Sequence, residues 1–219
     1  MKRRDPLPEG VADQLEFFMG GGPECGNPQL DPPQVVYPRA VEEIPSKTQI
    51  CLGGFDVGEP LTLTITPPVG KTATLELPPT DDADGFTYRY PRIPGVPIGT
   101  YHVTAEQNDL VATREFNVQR ATRPRLWVDR RHDATPGDEI HVYVGGFTAN
   151  RTERLDLYGG GNPATYRTSF PIQVDQHGEG HAVIETKPDD TEGCYGISHP
   201  LLYTDDSAND AFCIAGRPR

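Results

Sequence analysis

The sequence is short of most features that mark a membrane, nucleic-acid-binding or catalytic protein. No run approaches the roughly 20 consecutive apolar residues of a membrane span. Lys and Arg number 20 against 32 Asp and Glu, a net charge of −12, and a phosphate backbone calls for clustered basic residues. The one basic cluster, residues 120–131, is interrupted by Trp127 and Asp129 and reads as a linker followed by a first strand. The serines Ser46, Ser169, Ser198 and Ser207 lie in no Gly-x-Ser-x-Gly elbow, and no His-Glu-x-x-His helix is present. No glycine-rich loop opens a helix that could cradle phosphate. His199 beside Ser198 is adjacency without an orienting partner. The expectation is a protein that is not an enzyme and carries no cofactor. Helical periodicity is also missing, and after Lys2-Arg3-Arg4 stand Pro, Glu and Gly where a signal peptide would have its apolar core, so no export signal is visible.

What is present in quantity is glycine and proline, 23 of each, about a fifth of the chain. They punctuate short runs of Val, Thr, Ile, Leu and Tyr, the pattern of many short strands joined by turns. Leu61, Leu63 and Ile65 alternate with Thr62, Thr64 and Thr66, which describes a strand with one face buried. Strands are predicted at 34–37, 48–53, 61–66, 72–77, 86–90, 100–106 and 111–118, and again at 125–129, 139–144, 153–158, 166–174, 181–186, 194–198 and 211–215.

The two sets are copies of one plan. Ile50-Cys51-Leu52-Gly53-Gly54-Phe55 returns as Val142-Tyr143-Val144-Gly145-Gly146-Phe147; Gly99-Thr100-Tyr101 returns as Gly193-Cys194-Tyr195; Phe116 returns as Phe212. Phe55 to Phe147, Tyr101 to Tyr195 and Phe116 to Phe212 are separated by 92, 94 and 96 residues. Three landmarks in the same order at nearly constant spacing mark a duplicated module. The expected organisation is an irregular Pro/Gly-rich tail over 1–33, a module over 34–119, a linker made rigid by Pro124, and a second module over 124–216. Seven short strands per module, with no helices, point to an all-β chain of two tandem antiparallel β-sandwiches.

Pro136-Gly137-Asp138, the alternating strand, Gly-Gly-Phe, the Gly-x-Tyr strand start and the closing Phe strand resemble the tandem immunoglobulin-like repeats of bacterial exported and cell-surface proteins. The resemblance covers both modules and leaves the tail aside. It departs in two places: Pro45-Ser46 replaces Pro-Gly in the first module, and Gly159-Gly160-Gly161-Asn162-Pro163 is inserted in the second. It implies an extracellular or cell-surface location and a spacer, stalk or adhesive role. It also implies that Tyr101 and Tyr195, like Phe55 and Phe147, serve the fold, the tyrosines as corners whose hydroxyls bond nearby backbone.

Strand alternation places the cysteines. With Ile50 and Leu52 inward, Cys51 faces outward, where Cys25 of the tail is its natural partner; Cys194 and Cys213 face outward on neighbouring strands and suit a cross-strand disulfide. Either bond implies an oxidising compartment. With no Cys-x-x-Cys pair, zinc is disfavoured. Asp82 and Asp84, and Asp205 and Asp206, stand in acidic loops where Ca²⁺ is the weak alternative to solvated turns. His177 and His181 read as surface residues. Asn150-Arg151-Thr152 matches a glycosylation sequon.

The function expected is a structural spacer. The rivals are a module binding protein or glycan, and an accessory region of a larger enzyme. A binding surface is sought in the loops 159–166 and 203–210, with Asn162, Tyr166, Tyr203 and Asn209 as candidates, since sandwiches carry recognition on end loops. Oligomeric state is left open.

Overall fold

The computed structural model describes residues 30–37, 40–56, 58–79, 87–92, 95–129, 134–159, 165–187, 190–202 and 208–215. Among these residues the chain is all strand and turn, with a trace of 3₁₀ geometry at Ala208. It divides into two compact units between Gln119 and Arg120.

Unit 1 holds β1 (Gln34–Tyr37), β2 (Val41–Ile44), β3 (Ser46–Gly53), β4 (Leu61–Thr66), β5 (Ala73–Leu77), β6 (Thr87–Arg92), β7 (Gly99–Gln107) and β8 (Leu110–Arg120). One sheet has the order β1-β3-β6 and the other β2-β8-β7-β4-β5. Leu61, Leu63 and Ile65 are fully buried, with Val103 and Ala105 opposite on β7, while the intervening threonines look outward. Those outward residues make a cross-strand row, Thr74–Thr64–Thr104–Thr113. The core is completed by Ile44, Ile50, Leu52 and Phe55 with Tyr101, Phe116 and Val118, so it draws on both sheets. Arg114 on β8 donates from Nη1 to the carbonyls of Val35 and Val36, both at 3.0 Å, which satisfies acceptors on the edge strand β1.

Unit 2 repeats the plan with β9 (Arg125–Val128), β10 (Glu139–Gly145), β11 (Thr152–Gly159), β12 (Thr165–Gln173), β13 (Gly180–Glu185), β14 (Gly193–Ser198) and β15 (Asn209–Ile214). Its sheets run β9-β10-β13 and β12-β11-β14-β15. The core joins Leu126, Val128, Ile140, Val142 and Val144 of the first sheet to Leu155, Ile172, Tyr195, Ile197, Phe212 and Ile214 of the second. Among the described residues the strand pairings with a defined register are antiparallel, and in both units the third strand from the start of the plan (β4, β11) pairs with the fourth and the sixth.

One strand escaped the sequence reading. Val41-Glu42-Glu43-Ile44 is four residues long and carries two carboxylates, so it lacks alternation, yet it forms β2 beside β8. Among the described residues unit 2 has a bridge at the equivalent place: Ala134 pairs in parallel with Ile214, and the Ala215 N–H donates to its carbonyl at 2.9 Å.

The Gly-Gly-Phe motif has a geometric cause. Its second glycine has φ of +81° in Gly54 and +73° in Gly146, and a Cβ would run into the Leu30 carbonyl oxygen at the first and the Arg123 carbonyl oxygen at the second. In both units the chain entering the first strand crosses directly over this glycine. Left-handed backbone and close approach together leave room for glycine alone.

Candidate functional site

The two tyrosine positions are equivalent in detail. Tyr101 donates to the Pro97 carbonyl at 3.0 Å and Tyr195 to the Thr191 carbonyl at 2.9 Å, each four residues upstream. Tyr101 packs its ring on Phe116 with centroids 5.2 Å apart, and Tyr195 on Phe212 at 5.3 Å. Both tyrosines are buried, so their hydroxyls are held by backbone and not offered to a ligand. Phe55 lies in the core of unit 1; Phe147 is partly buried against the core of unit 2 and tilts on the His199 ring.

Cys194 and Cys213 are direct Cα partners on β14 and β15 and are joined by a disulfide, with Cα atoms 3.9 Å apart. Alternation puts them opposite Tyr195 and Phe212, as the sequence implied. Cys51 is also disulfide-bonded and fully buried. Its expected partner, Cys25, lies outside the described residues. Ile50, Cys51 and Leu52 are all buried in succession, so both faces of β3 are covered. The same holds on β10, where Val142, Tyr143 and Val144 are buried together.

Of the loop candidates, Asn162 and Tyr203 fall outside the described residues, as do all four acidic metal candidates, Asp82, Asp84, Asp205 and Asp206. Among the described residues no group of three or more His, Cys, Asp or Glu is arranged to hold a metal ion. Asn209 is half-buried opposite Ser198 at the start of β15. Its neighbour Asp210 accepts the Val128 N–H at 2.8 Å, tying the edge of one sheet to the edge of the other.

Tyr166 is the exposed member, at 54%. It sits on the edge strand β12 and meets Tyr158 of β11 edge-on, with centroids 5.9 Å apart. Its hydroxyl is 2.8 Å from Ser169 Oγ, which donates to Asp156 Oδ1 at 2.6 Å; Arg154 Nε lies 3.2 Å from the same oxygen. Register explains the grouping. Ser169, Asp156, Ser198 and Asn209 are cross-strand neighbours on the outer face of the four-stranded sheet, with Tyr166 and Tyr158 in the next row. Asp156 is only 4% exposed, and its oxygens are satisfied by these bonds. Ser198 Oγ is buried with no hydrogen-bond partner among the described residues, and makes none to His199, whose Nε2 stands 3.4 Å from Glu153 Oε2.

A second cluster was not found from sequence. On the outer face of β9-β10-β13, Trp127, Tyr143 and His181 form a cross-strand row of stacked rings, with centroids 5.4 and 4.6 Å apart. His141, diagonal to His181, brings Nδ1 to 2.9 Å from His181 Nε2. The two rings are coplanar within 1° at a 5.1 Å centroid distance, an edge-to-edge arrangement. Burial, and then the Asp129 carboxylate, push the Tyr143 phenol well above its ordinary range. Burial, and then His141, lower the His181 pKa. His181 therefore belongs to a partnered cluster, and sequence had only its spacing from His177 to offer.

One further carboxylate is perturbed. Glu179, 6% exposed in the β12–β13 turn, is raised chiefly by burial, with Asp175 adding to it and Arg120 opposing. Arg120 Nε is 3.1 Å from Glu179 Oε1, an ion pair whose N–H is poorly aimed for a hydrogen bond.

No family model and no curated protein matches the chain. Among solved structures it is similar to the crystal structure of a tetra-tandem repeat in the extending region of a large adhesion protein, at 12% identity and a TM-score of 0.27. That match covers 84% of this chain, which spans about half of the other, 47%. Among the described residues no helix is long and apolar enough to cross a membrane.

Proposed function

We propose that the chain is a pair of tandem immunoglobulin-like sandwiches acting as a non-enzymatic structural spacer outside a bacterial cell. The observation that carries this reading is the shared plan. In each unit the first, second and fifth strands of the plan form one sheet. The fourth, third, sixth and seventh form the other. A tyrosine at the start of the sixth strand bonds the carbonyl four residues back in both. The tyrosine corner is a hallmark of immunoglobulin-like sandwiches, and the sheet plan is theirs with the fourth strand moved across to pair with the third. The Cys194–Cys213 bond supports an oxidising compartment, as an exported protein would meet. A glycan and protein array probed with the whole chain tests the role: a spacer gives no saturable signal, and reproducible binding to one ligand class would sink it.

A second reading, adhesion or ligand binding, is favoured by the half-exposed Tyr166 beside the Tyr158 ring and the Arg154–Asp156–Ser169 network. An aromatic edge next to fixed donors and acceptors suits a sugar or a peptide. Under this reading an array signal disappears in Tyr166→Ala.

A further inference from the structure

We propose that His141 and His181 form a two-imidazole site for a divalent transition cation that binds imidazole strongly, Cu²⁺ or Ni²⁺, on the outer face of β9-β10-β13. Imidazole nitrogen is a ligand these ions favour, whereas Ca²⁺ and Mg²⁺ prefer oxygen. The two nitrogens that face each other, His141 Nδ1 and His181 Nε2, come from neighbouring strands and are 2.9 Å apart. Two metal–nitrogen bonds of about 2.05 Å meeting at a right angle hold their nitrogens about 2.9 Å apart, while a tetrahedral angle needs about 3.3 Å. The present 2.9 Å is the hydrogen bond between the rings, and it brings both nitrogens within reach of one such ion once the rings turn.

The surroundings fit the same use. The His181 ring lies against Tyr143, centroids 4.6 Å apart and planes within 12°. His141 is 27% exposed at the side chain and His181 is exposed, so water can complete the coordination. Now the two nitrogens share a hydrogen bond, which one donates and one accepts. For both to offer lone pairs, the donor ring moves its proton to its other nitrogen and each ring turns about χ2, a soft torsion. For His141 that other nitrogen is Nε2, and Glu139 Oε2 stands 4.0 Å from it. That distance is too long for a hydrogen bond, and the carboxylate acts on the site only through its charge. Glu139 and Glu185 are direct cross-strand partners on the same face and add negative potential toward a cation.

The test is titration of the full, untagged chain with Cu²⁺, read by calorimetry and by electron paramagnetic resonance. The expected result is saturable one-to-one binding with two equatorial nitrogens in the spectrum. His141→Gln and His181→Gln each weaken binding tenfold or more, and His177→Gln, in the β12–β13 turn, leaves it unchanged. The proposal is overturned by no saturable binding, by a spectrum with fewer than two nitrogens, or by unchanged affinity in His141→Gln. The wild-type spectrum counts nitrogens whether or not a variant folds, and Trp127 emission shows which variants do.

Discussion

Breaking the Cys194–Cys213 bond should loosen unit 2 by an amount that can be worked out in advance. The bond closes a loop of sequence separation 19. Constraining a loop of that length removes about 3 kcal/mol of chain entropy from the unfolded state. The native hairpin does not need the bond for its shape. Six residue pairs join β14 to β15, from Gly193↔Ile214 to Ser198↔Asn209, and Tyr195 stacks on Phe212 across the core-facing side. The double variant Cys194→Ala with Cys213→Ala should therefore keep native structure and lose stability. The chain has one tryptophan, Trp127, which is 5% exposed within unit 2. Its emission reports that unit alone. With a urea slope of roughly 1–1.5 kcal/mol/M for about a hundred residues, the midpoint should fall by about 2–3 M, with the emission in buffer unchanged. A fall under about 0.5 M at the same slope would refute the loop-closure reasoning. A shifted emission before any urea is added would show that the bond shapes the native hairpin.

Three further outcomes follow from the same coordinates. Tyr195→Phe removes the hydroxyl that donates to the Thr191 carbonyl and should cost unit 2 roughly 1–1.5 kcal/mol in urea unfolding. Gly146→Ala forces a Cβ toward the Arg123 carbonyl at positive φ and should cost about 2 kcal/mol or more, while Gly58→Ala, with open space around it, should stay within about 0.5 kcal/mol. Glu179 has a folded pKa raised above its unfolded value, so the folded state binds more protons than the unfolded one between those two values, and stability falls as pH rises across that window. Glu179→Gln should flatten this slope in urea midpoints measured from pH 4 upward; an unchanged slope would assign it elsewhere.

The strands were legible wherever one face is apolar and the other polar. Leu61 to Thr66 is the clearest instance, and every strand of unit 2 stands within two residues of its predicted start. The Cys194–Cys213 pairing was readable for the same reason: alternation and neighbouring strands put both cysteines on one face. β2 was not readable, because Val41-Glu42-Glu43-Ile44 is a strand only by virtue of lying beside β8. Alternation also says which way a side chain points and not what lies over it. Tyr143 and Cys51 both sit on outward faces and both are buried.

The sequence by itself determined the repeat and the all-β character, because these depend on local periodicity; the carbonyls that pass over Gly54 and Gly146 became visible only in the folded chain. The side-chain clusters were decided only in three dimensions. His141 and His181 are 40 residues apart and meet through the β10–β13 register, and Tyr166 reaches Ser169 and Asp156 through the β11–β12 register and its bulge. Pairing across strands is a tertiary choice, made by the whole core at once, and no local pattern encodes which side chains it brings together.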